Sequence, residues 1–321
     1  MYIAIVSFII WGFFNFFMIQ YKDFISPINV ILFLFVFAFI FMSIYRVISK
    51  ESIVLIKKDK IVNFIAGMFQ SFTYGIYFTL IFTYPSESIV IIVFYNLFGL
   101  ITVLMDAIFF KTKNDHIEYF ILGIVVTLSM FLIVKTQFIL GNSFETISFT
   151  SLYGLLPAIS AAIVGILYKY SSSYKSSSLK NLMTINMQFL FYRAFGGLMV
   201  AIVFYIIFGL SSEIYPKVSL LEIKLGFLYA IFPFLIGHFF YSISLYKKAS
   251  MIVLSVFMNL SPIITISSMY YFSGIQYEFD DSILFTMVAI FTLSSILSIY
   301  HNKKHKKHKR QIEKELSKEI E

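Results

Sequence analysis

A nine-residue stretch, Phe94-Tyr95-Asn96-Leu97-Phe98-Gly99-Leu100-Ile101-Thr102, returns 163 residues later as Phe257-Met258-Asn259-Leu260-Ser261-Pro262-Ile263-Ile264-Thr265, with five of nine positions identical. Each copy lies in a long apolar run, follows a polar break carrying serine (Ser86 and Ser88; Ser250), and precedes a polar loop and one further apolar run. A chain that repeats one such unit at this separation folds as two copies of one arrangement. The repeat divides the sequence into residues 1–150, residues 151–300 and a basic tail, 301–321.

The material between the repeats is apolar. Hydrophobic residues make up 59% of the 321, against about 45–50% in soluble domains. Since a spanning helix needs about 20 mainly apolar residues, ten runs qualify: 2–20, 27–48, 61–83, 87–110, 117–134, 151–170, 182–209, 223–246, 250–273 and 281–300. The fold class expected is an all-α integral membrane protein. Pro157, Pro233 and Pro262 fall inside or near the ends of runs and predict kinks, whereas Pro27, Pro85 and Pro216 stand at helix starts or in loops. Ser86 or Ser88, and Ser250, are the expected N-caps of the helices that follow them. The first run has no leading basic segment and no small-residue cleavage site, so it reads as a retained helix.

Charge supplies the topology. On the side of the N-terminus, loops and tail carry twenty Lys and Arg, among them Arg46, Lys57, Lys58, Lys111, Lys169, Lys247 and Lys248; the other side carries four, Lys22, Lys135, Lys217 and Lys224. The excess places both termini in the cytoplasm. Five helices per unit is an odd number, so the second unit enters the membrane from the opposite face and the repeat is inverted. The tail His301-Asn302-Lys303-Lys304-His305-Lys306-Lys307-His308-Lys309-Arg310 has the composition of a segment resting on anionic lipid. The formal charge of +8 is distributed over short loops and this tail, which fits a membrane topology and not a nucleic-acid partner.

Several function classes drop out. Cysteine is absent, which excludes disulfide frameworks, zinc fingers and thiol nucleophiles. Only His116 and His238 lie outside the tail, no His/Asp/Glu cluster appears and no Gly-x-x-x-x-Gly-Lys-Ser/Thr loop is present, so neither metal, cofactor, enzymatic site nor direct ATP drive is expected.

The residues that remain are polar groups inside apolar runs, which are costly and mark cavities or helix contacts. Arg193 lies about 12 residues into the seventh run, near mid-membrane. Asn186 and Gly197 share its face and leave room for a ligand or another backbone. Its planar fork suits a substrate carboxylate or phosphate; capping backbone carbonyls or pairing with Asp106 is the alternative. In the fourth run Ser88, Tyr95, Gly99, Thr102 and Asp106 form one polar stripe, ending in a carboxylate that reads either as a proton-coupling group or as an interfacial charge near Lys111. Gln70, Thr73, Tyr74 and Tyr77 mark one face of the third run, and His238 and Tyr241 answer them from the eighth; His238 reads as a proton relay or as a neutral imidazole bonded to a neighbouring helix. Asn96 and Asn259 occupy equivalent places in the repeat, as substrate ligands or interhelical glue. Trp11 and Asn15, four apart on the first run, complete the expected cavity lining. The 20% aromatic content fits a ligand cage and fits equally a coding bias that inflates Phe, Ile, Tyr, Lys and Asn together.

Trp11-Gly12 in the first helix, Ser26-Pro27 opening the second, the small or polar corner between the third and fourth, and the Asn/Ser-Pro-rich fourth and ninth helices resemble the drug/metabolite transporter superfamily, in its ten-helix EamA-type branch. The resemblance spans residues 1–300. That family often carries an arginine early in the second helix of each half; Arg193 keeps it in the second half, while Phe33-Leu34-Phe35 replaces it in the first. The resemblance implies a secondary transporter of the cytoplasmic membrane, working by alternating access and usually exporting amino acids, their derivatives, nucleotide-linked or simple sugars, or small cationic metabolites. Arg193 favours an amino acid or another carboxylate-bearing compound. The rival readings are a membrane scaffold or receptor and a lipid-modifying membrane enzyme.

Overall fold

The computed structural model describes residues 2–21, 23–49, 55–84, 88–139, 149–172, 179–209, 218–246, 249–272 and 281–320. Among them every regular element is a helix. These are α1 (Tyr2–Gln20), α2 (Pro27–Ser49), α3 (Lys57–Thr83), α4 (Ser88–Tyr95), α5 (Phe98–Phe110), α6 (His116–Ile139), α7 (Leu155–Ser172), α8 (Leu179–Phe204), α9 (Leu220–Tyr229), α10 (His238–Tyr246), α11 (Met251–Met258), α12 (Leu260–Phe272) and α13 (Asp281–Ile320). A short 3₁₀ turn, Phe149–Gly154, leads into α7, and π-helical segments Tyr205–Gly209 and Ala230–Gly237 follow α8 and α9. Each expected run is thus occupied by helix. In lipid no water satisfies backbone groups, so apolar chain closes its hydrogen bonds within itself. Nine described stretches are long and apolar enough to cross a membrane, and Ile3–Met18 is a shorter apolar helix. The chain is a multi-pass helical membrane protein.

Three of the runs have interruptions that border the site. The fourth breaks at Asn96-Leu97 and the ninth at Asn259, the equivalent places of the repeated stretch. At both, the asparagine Nδ2 donates to the carbonyl four residues back, Ile92 at 2.8 Å and Ser255 at 2.9 Å. The backbone tightens in the same way, with Leu97 N donating to Phe94 O and Asn259 N to Val256 O, both at 3.2 Å. Asparagine competes for its own helix's carbonyls, so a short polar side chain at this position is enough to interrupt the spiral. The eighth run widens into the π segment Ala230–Gly237 around Pro233. A proline inside a helix leaves carbonyls without their usual donor. Side chains of α1 donate to two other carbonyls of this segment: Trp11 Nε1 donates to Pro233 O at 3.1 Å and Ser7 Oγ to Gly237 O at 2.8 Å. Pro157 and Pro262 stand in the first turns of α7 and α12, where no hydrogen bond is lost, so of the three expected kinks only Pro233 distorts a helix interior. Pro85, Pro216 and Ser86 lie outside the described residues.

Glycine decides which helices meet most closely. α3 packs on α8 and α7, α2 on α8 and α9, α1 on α12 and α10, α5 on α7, and α6 on α13. A Cβ built on Gly67 would stand 2.0 Å from Arg193 O, and one on Gly196 would stand 2.0 Å from Phe64 O. The backbones of α3 and α8 therefore touch, with Arg193 at the contact. Gly12 lets α1 approach Ser261 O of α12 in the same fashion. The space left by Gly197, expected to admit a ligand, is filled by the Phe35 ring. With lipid as apolar as the side chains, such close approach is a main source of helix association.

Polar caps fasten the helix ends. Ser219 and Glu222 form a capping box on α9. The buried Glu222 carboxylate also accepts from Ser26 N at 2.6 Å and Asn29 Nδ2 at 3.2 Å, tying the start of α2 to the start of α9. Asp115 and Glu118 form a second box at the start of α6. Tyr300 Oη donates to Asp115 at 2.8 Å, Lys304 Nζ donates to Asp115 and Glu118, and His301 pairs with Glu118. Burial opposes ionisation of Asp115, but the Glu118 N–H, Lys304 and Tyr300 outweigh it and hold the carboxyl below its ordinary 3.8. The stabilisation it gives is present above that value and is lost as pH falls through the lowered one. Ser250 occupies the N-cap of α11 as expected, yet its side chain makes no capping bond. The basic tail is not a separate helix: α13 runs unbroken from Asp281 to Ile320.

Gly67→Ala and Gly196→Ala should each lower stability in detergent by about 1–3 kcal/mol or prevent folding, because a backbone must move to admit the methyl group. Gly123→Ala, where a Cβ meets nothing within 4 Å, should be neutral or stabilising by up to about 1 kcal/mol. Thermal unfolding followed by size-exclusion peak area checks this; equal behaviour of the three variants would contradict it.

Candidate functional site

The breaks and the π segment border a cavity of about 180 Å³. α1 contributes Trp11 and Asn15; α3 contributes Gln70, Thr73, Tyr74 and Tyr77; Tyr95 and Asn96 line it where α4 ends. Ala161, Gly165 and Tyr168 come from α7, Pro233 from the π segment, His238 and Tyr241 from α10, and Ser261, Pro262 and Thr265 from α12. Aromatic rings dominate the wall. Trp11 sits against His238 (5.0 Å between centroids) and Tyr241 (5.7 Å), while Tyr77, Tyr95 and Phe98 form a second stack, with Tyr77 and Tyr95 4.2 Å apart. Among the described residues no Asp, Glu, Lys or Arg lines the cavity.

Nine of the sequence-derived candidates meet here: Trp11, Asn15, Gln70, Tyr74, Tyr77, Tyr95, Asn96, His238 and Tyr241. The faces of the third and eighth runs do oppose each other. Gln70 Nε2 lies in hydrogen-bond contact with His238 Nε2 and donates to Tyr74 Oη at 3.3 Å; Tyr74 Oη stands 3.4 Å from His238 Nε2. His238 is thus bonded to a neighbouring helix, one of its two expected roles. Tyr168 Oη donates to Gln70 Oε1 at 2.8 Å and Thr73 Oγ1 donates to Ser160 Oγ at 2.9 Å, which fastens α3 to α7.

The other three candidates lie elsewhere. Arg193 is only 1% exposed and does not line the cavity. Its Nε donates to Asn63 Oδ1 at 2.8 Å, its Nη1 donates to Ser242 Oγ at 2.9 Å, and its guanidinium carbon stands 3.5 Å from the centroid of the Tyr168 ring. The fork expected to hold a substrate carboxylate is engaged by an amide, a hydroxyl and an aromatic face, one layer behind the wall. It pairs neither with Asp106 nor with backbone carbonyls in these contacts. Asp106, also 1% exposed, pairs with Lys169, and Lys169 Nζ also donates to Thr112 Oγ1 at 3.2 Å. Lys169, not Lys111, is therefore its cation. The polar stripe of the fourth run divides at the Asn96 break: Tyr95 faces the cavity, whereas Gly99, Thr102 and Asp106 face α11 and α7. Asn259 is buried beside its own helix and does not line the cavity. Asn186 Nδ2 donates to Phe239 O at 3.2 Å, tying α8 to α10.

Sequence reasoning passed over Tyr168, Asn63 and Glu222. Each had a signal. Ala161, Gly165 and Tyr168 share one face of α7 at spacings of four and three. Asn63, Gly67 and Gln70 repeat that spacing on α3, and Ser219-Leu220-Leu221-Glu222 is a capping-box sequence. Chemically, the wall presents neutral donors and acceptors on aromatic surface, an arrangement that recognises a small molecule by shape and a few hydrogen bonds.

Lys169→Met leaves the Asp106 carboxylate unpaired inside the bundle. Stability should fall by about 2 kcal/mol, less than a fully buried pair would lose because the Lys169 side chain is 25% exposed. Adding Asp106→Asn should recover at least half of the loss in thermal unfolding, and a neutral Lys169→Met would contradict the assignment.

No protein-family model matches the chain, and no curated protein matches it. Sixteen chains of solved structures do. One crystal structure superposes with a TM-score of 0.68 over 93% of this chain and 96% of its own length, at 12% identity. At that identity the likeness is one of fold.

Proposed function

We propose that this protein is a secondary transporter of the drug/metabolite transporter type, carrying a small metabolite across the cytoplasmic membrane by alternating access. The observation that carries the reading is the place of the cavity. It lies between helices of residues 1–150 and of residues 151–300, and two broken helices and one π-distorted helix border it. A two-fold, inverted arrangement of five-helix units accounts for the matched breaks at Asn96 and Asn259. The lysine and arginine bias puts both ends of the chain in the cytoplasm. Irregular backbone at membrane depth is tolerated where it lines a cavity, and substrate sites of inverted-repeat transporters sit at such places.

The wall favours a substrate with an aromatic or apolar body. A carboxylate gripped directly by Arg193 is not favoured, because Tyr168 stands between that guanidinium and the cavity. The absence of cysteine makes the carrier reading testable without a known substrate. Ala161→Cys and Ser261→Cys place single thiols on the cavity wall, one on α7 and one on α12. A membrane-impermeant maleimide should modify both, whether applied to intact cells or to inside-out vesicles. A scaffold predicts modification from one face only or from neither, and that result would overturn the proposal. A cysteine appended after Glu321 should react from the cytoplasmic face alone.

A further inference from the structure

The polar contacts behind the cavity wall form a chain with a fixed direction. Arg193 carries a positive charge over the face of Tyr168, 3.5 Å from its centroid. Next to that cation the Tyr168 hydroxyl donates away from it, to Gln70 Oε1 at 2.8 Å. With its carbonyl engaged, Gln70 turns its NH₂ toward His238 Nε2. An amide NH₂ only donates, so Nε2 must accept, and a neutral imidazole that accepts at Nε2 carries its proton on Nδ1. The reversed amide would face Tyr168 with a donor and leave the phenol proton without an acceptor among the described residues. His238 Nδ1 and Tyr241 Oη are both buried and have no hydrogen-bond partner among the described residues, and both residues line the cavity. Orphaned donors in a bundle interior are costly unless a ligand meets them.

We propose that His238 and Tyr241 form the subsite for a hydrogen-bond-accepting oxygen of the substrate, a carbonyl or carboxylate, and that Arg193 positions it from outside the cavity by fixing the His238 tautomer through Tyr168 and Gln70. This rests on the cavity being the substrate site. Arg193 is here a positioning residue: its charge reaches the ligand through three side chains, Tyr168, Gln70 and His238, and selects an acceptor over a donor. An ammonium group has three donors and no acceptor, so it can donate to the Tyr241 oxygen but leaves the His238 Nδ1–H unmet.

The test reads tautomer and ligand separately. In ¹⁵N-histidine-labelled protein the His238 signal, identified by its loss in His238→Gln, should report Nδ1–H. In Gln70→Glu, whose carboxylate accepts from both neighbours, the signal should move to Nε2–H or to imidazolium. The single tryptophan, Trp11, 5.0 Å from the His238 ring, reports binding by fluorescence. Titrated with 3-phenylpropionamide, 3-phenylpropionate and 3-phenylpropylamine, the native protein should bind the amide and the acid at least tenfold more tightly than the amine. Tyr168→Phe should erase that preference. Nε2–H in the native protein, or an amine bound as tightly as the amide, overturns the inference and leaves the cavity reading intact. Failure of all three probes to bind overturns both.

Discussion

The contact of α3 with α8 at Gly67 and Gly196 is the constraint on which the rest of the bundle depends. Dispersion falls off within an ångström, so helices in lipid associate where side chains are small enough for backbones to touch. Here the touching atoms include Arg193 O and Phe64 O. That approach brings Asn63, one turn before Gly67, within 2.8 Å of the Arg193 Nε. A guanidinium buried in an apolar bundle is costly, and this one is offset by Asn63, Ser242 and the Tyr168 face. The glycines and the arginine are thereby linked: without the close approach the charge would lose the Asn63 carbonyl.

A second dependence runs through α1. The π segment of the eighth run exposes carbonyls that water cannot reach, and Trp11 and Ser7 bond to them. Tyr229 returns the contact by donating to Phe14 O, and Thr265 Oγ1 donates to Gly12 O at 2.9 Å. α1 is thereby fastened to the π segment and to α12 through backbone acceptors, which leaves Asn15 and the Trp11 ring on the cavity. The distortion around Pro233 and the placing of the cavity's only indole have one cause.

What the sequence made legible follows from what periodicity can carry. Apolar runs mark where helices form, and each run is occupied by helix. Polar positions on one face, such as Gln70, Tyr74 and Tyr77, were legible as cavity lining because a membrane helix gains nothing by turning them to lipid. Depth alone could not say which side of a wall a residue occupies. Arg193 has the right depth and lies one layer behind Tyr168, since the face it shares with Gly197 is filled by Phe35. Asp106 was read beside its sequence neighbour Lys111, but the helix turns it toward Lys169 on α7, a pairing set by tertiary packing alone. The stripe of the fourth run was read as one surface, and the Asn96 break split it between two surroundings.

The proposed carrier function requires that the two ends of the cavity open in turn. Interspin distances between nitroxides on cysteine pairs measure that directly in this cysteine-free chain. Phe24→Cys with Phe272→Cys marks one end, and Lys113→Cys with Met183→Cys marks the other; all four positions are exposed. In liposomes each pair should give two distances whose populations move in opposite senses when conditions favour one state. A single distance for both pairs under every condition would contradict alternating access and leave the cavity as an enclosed structural feature.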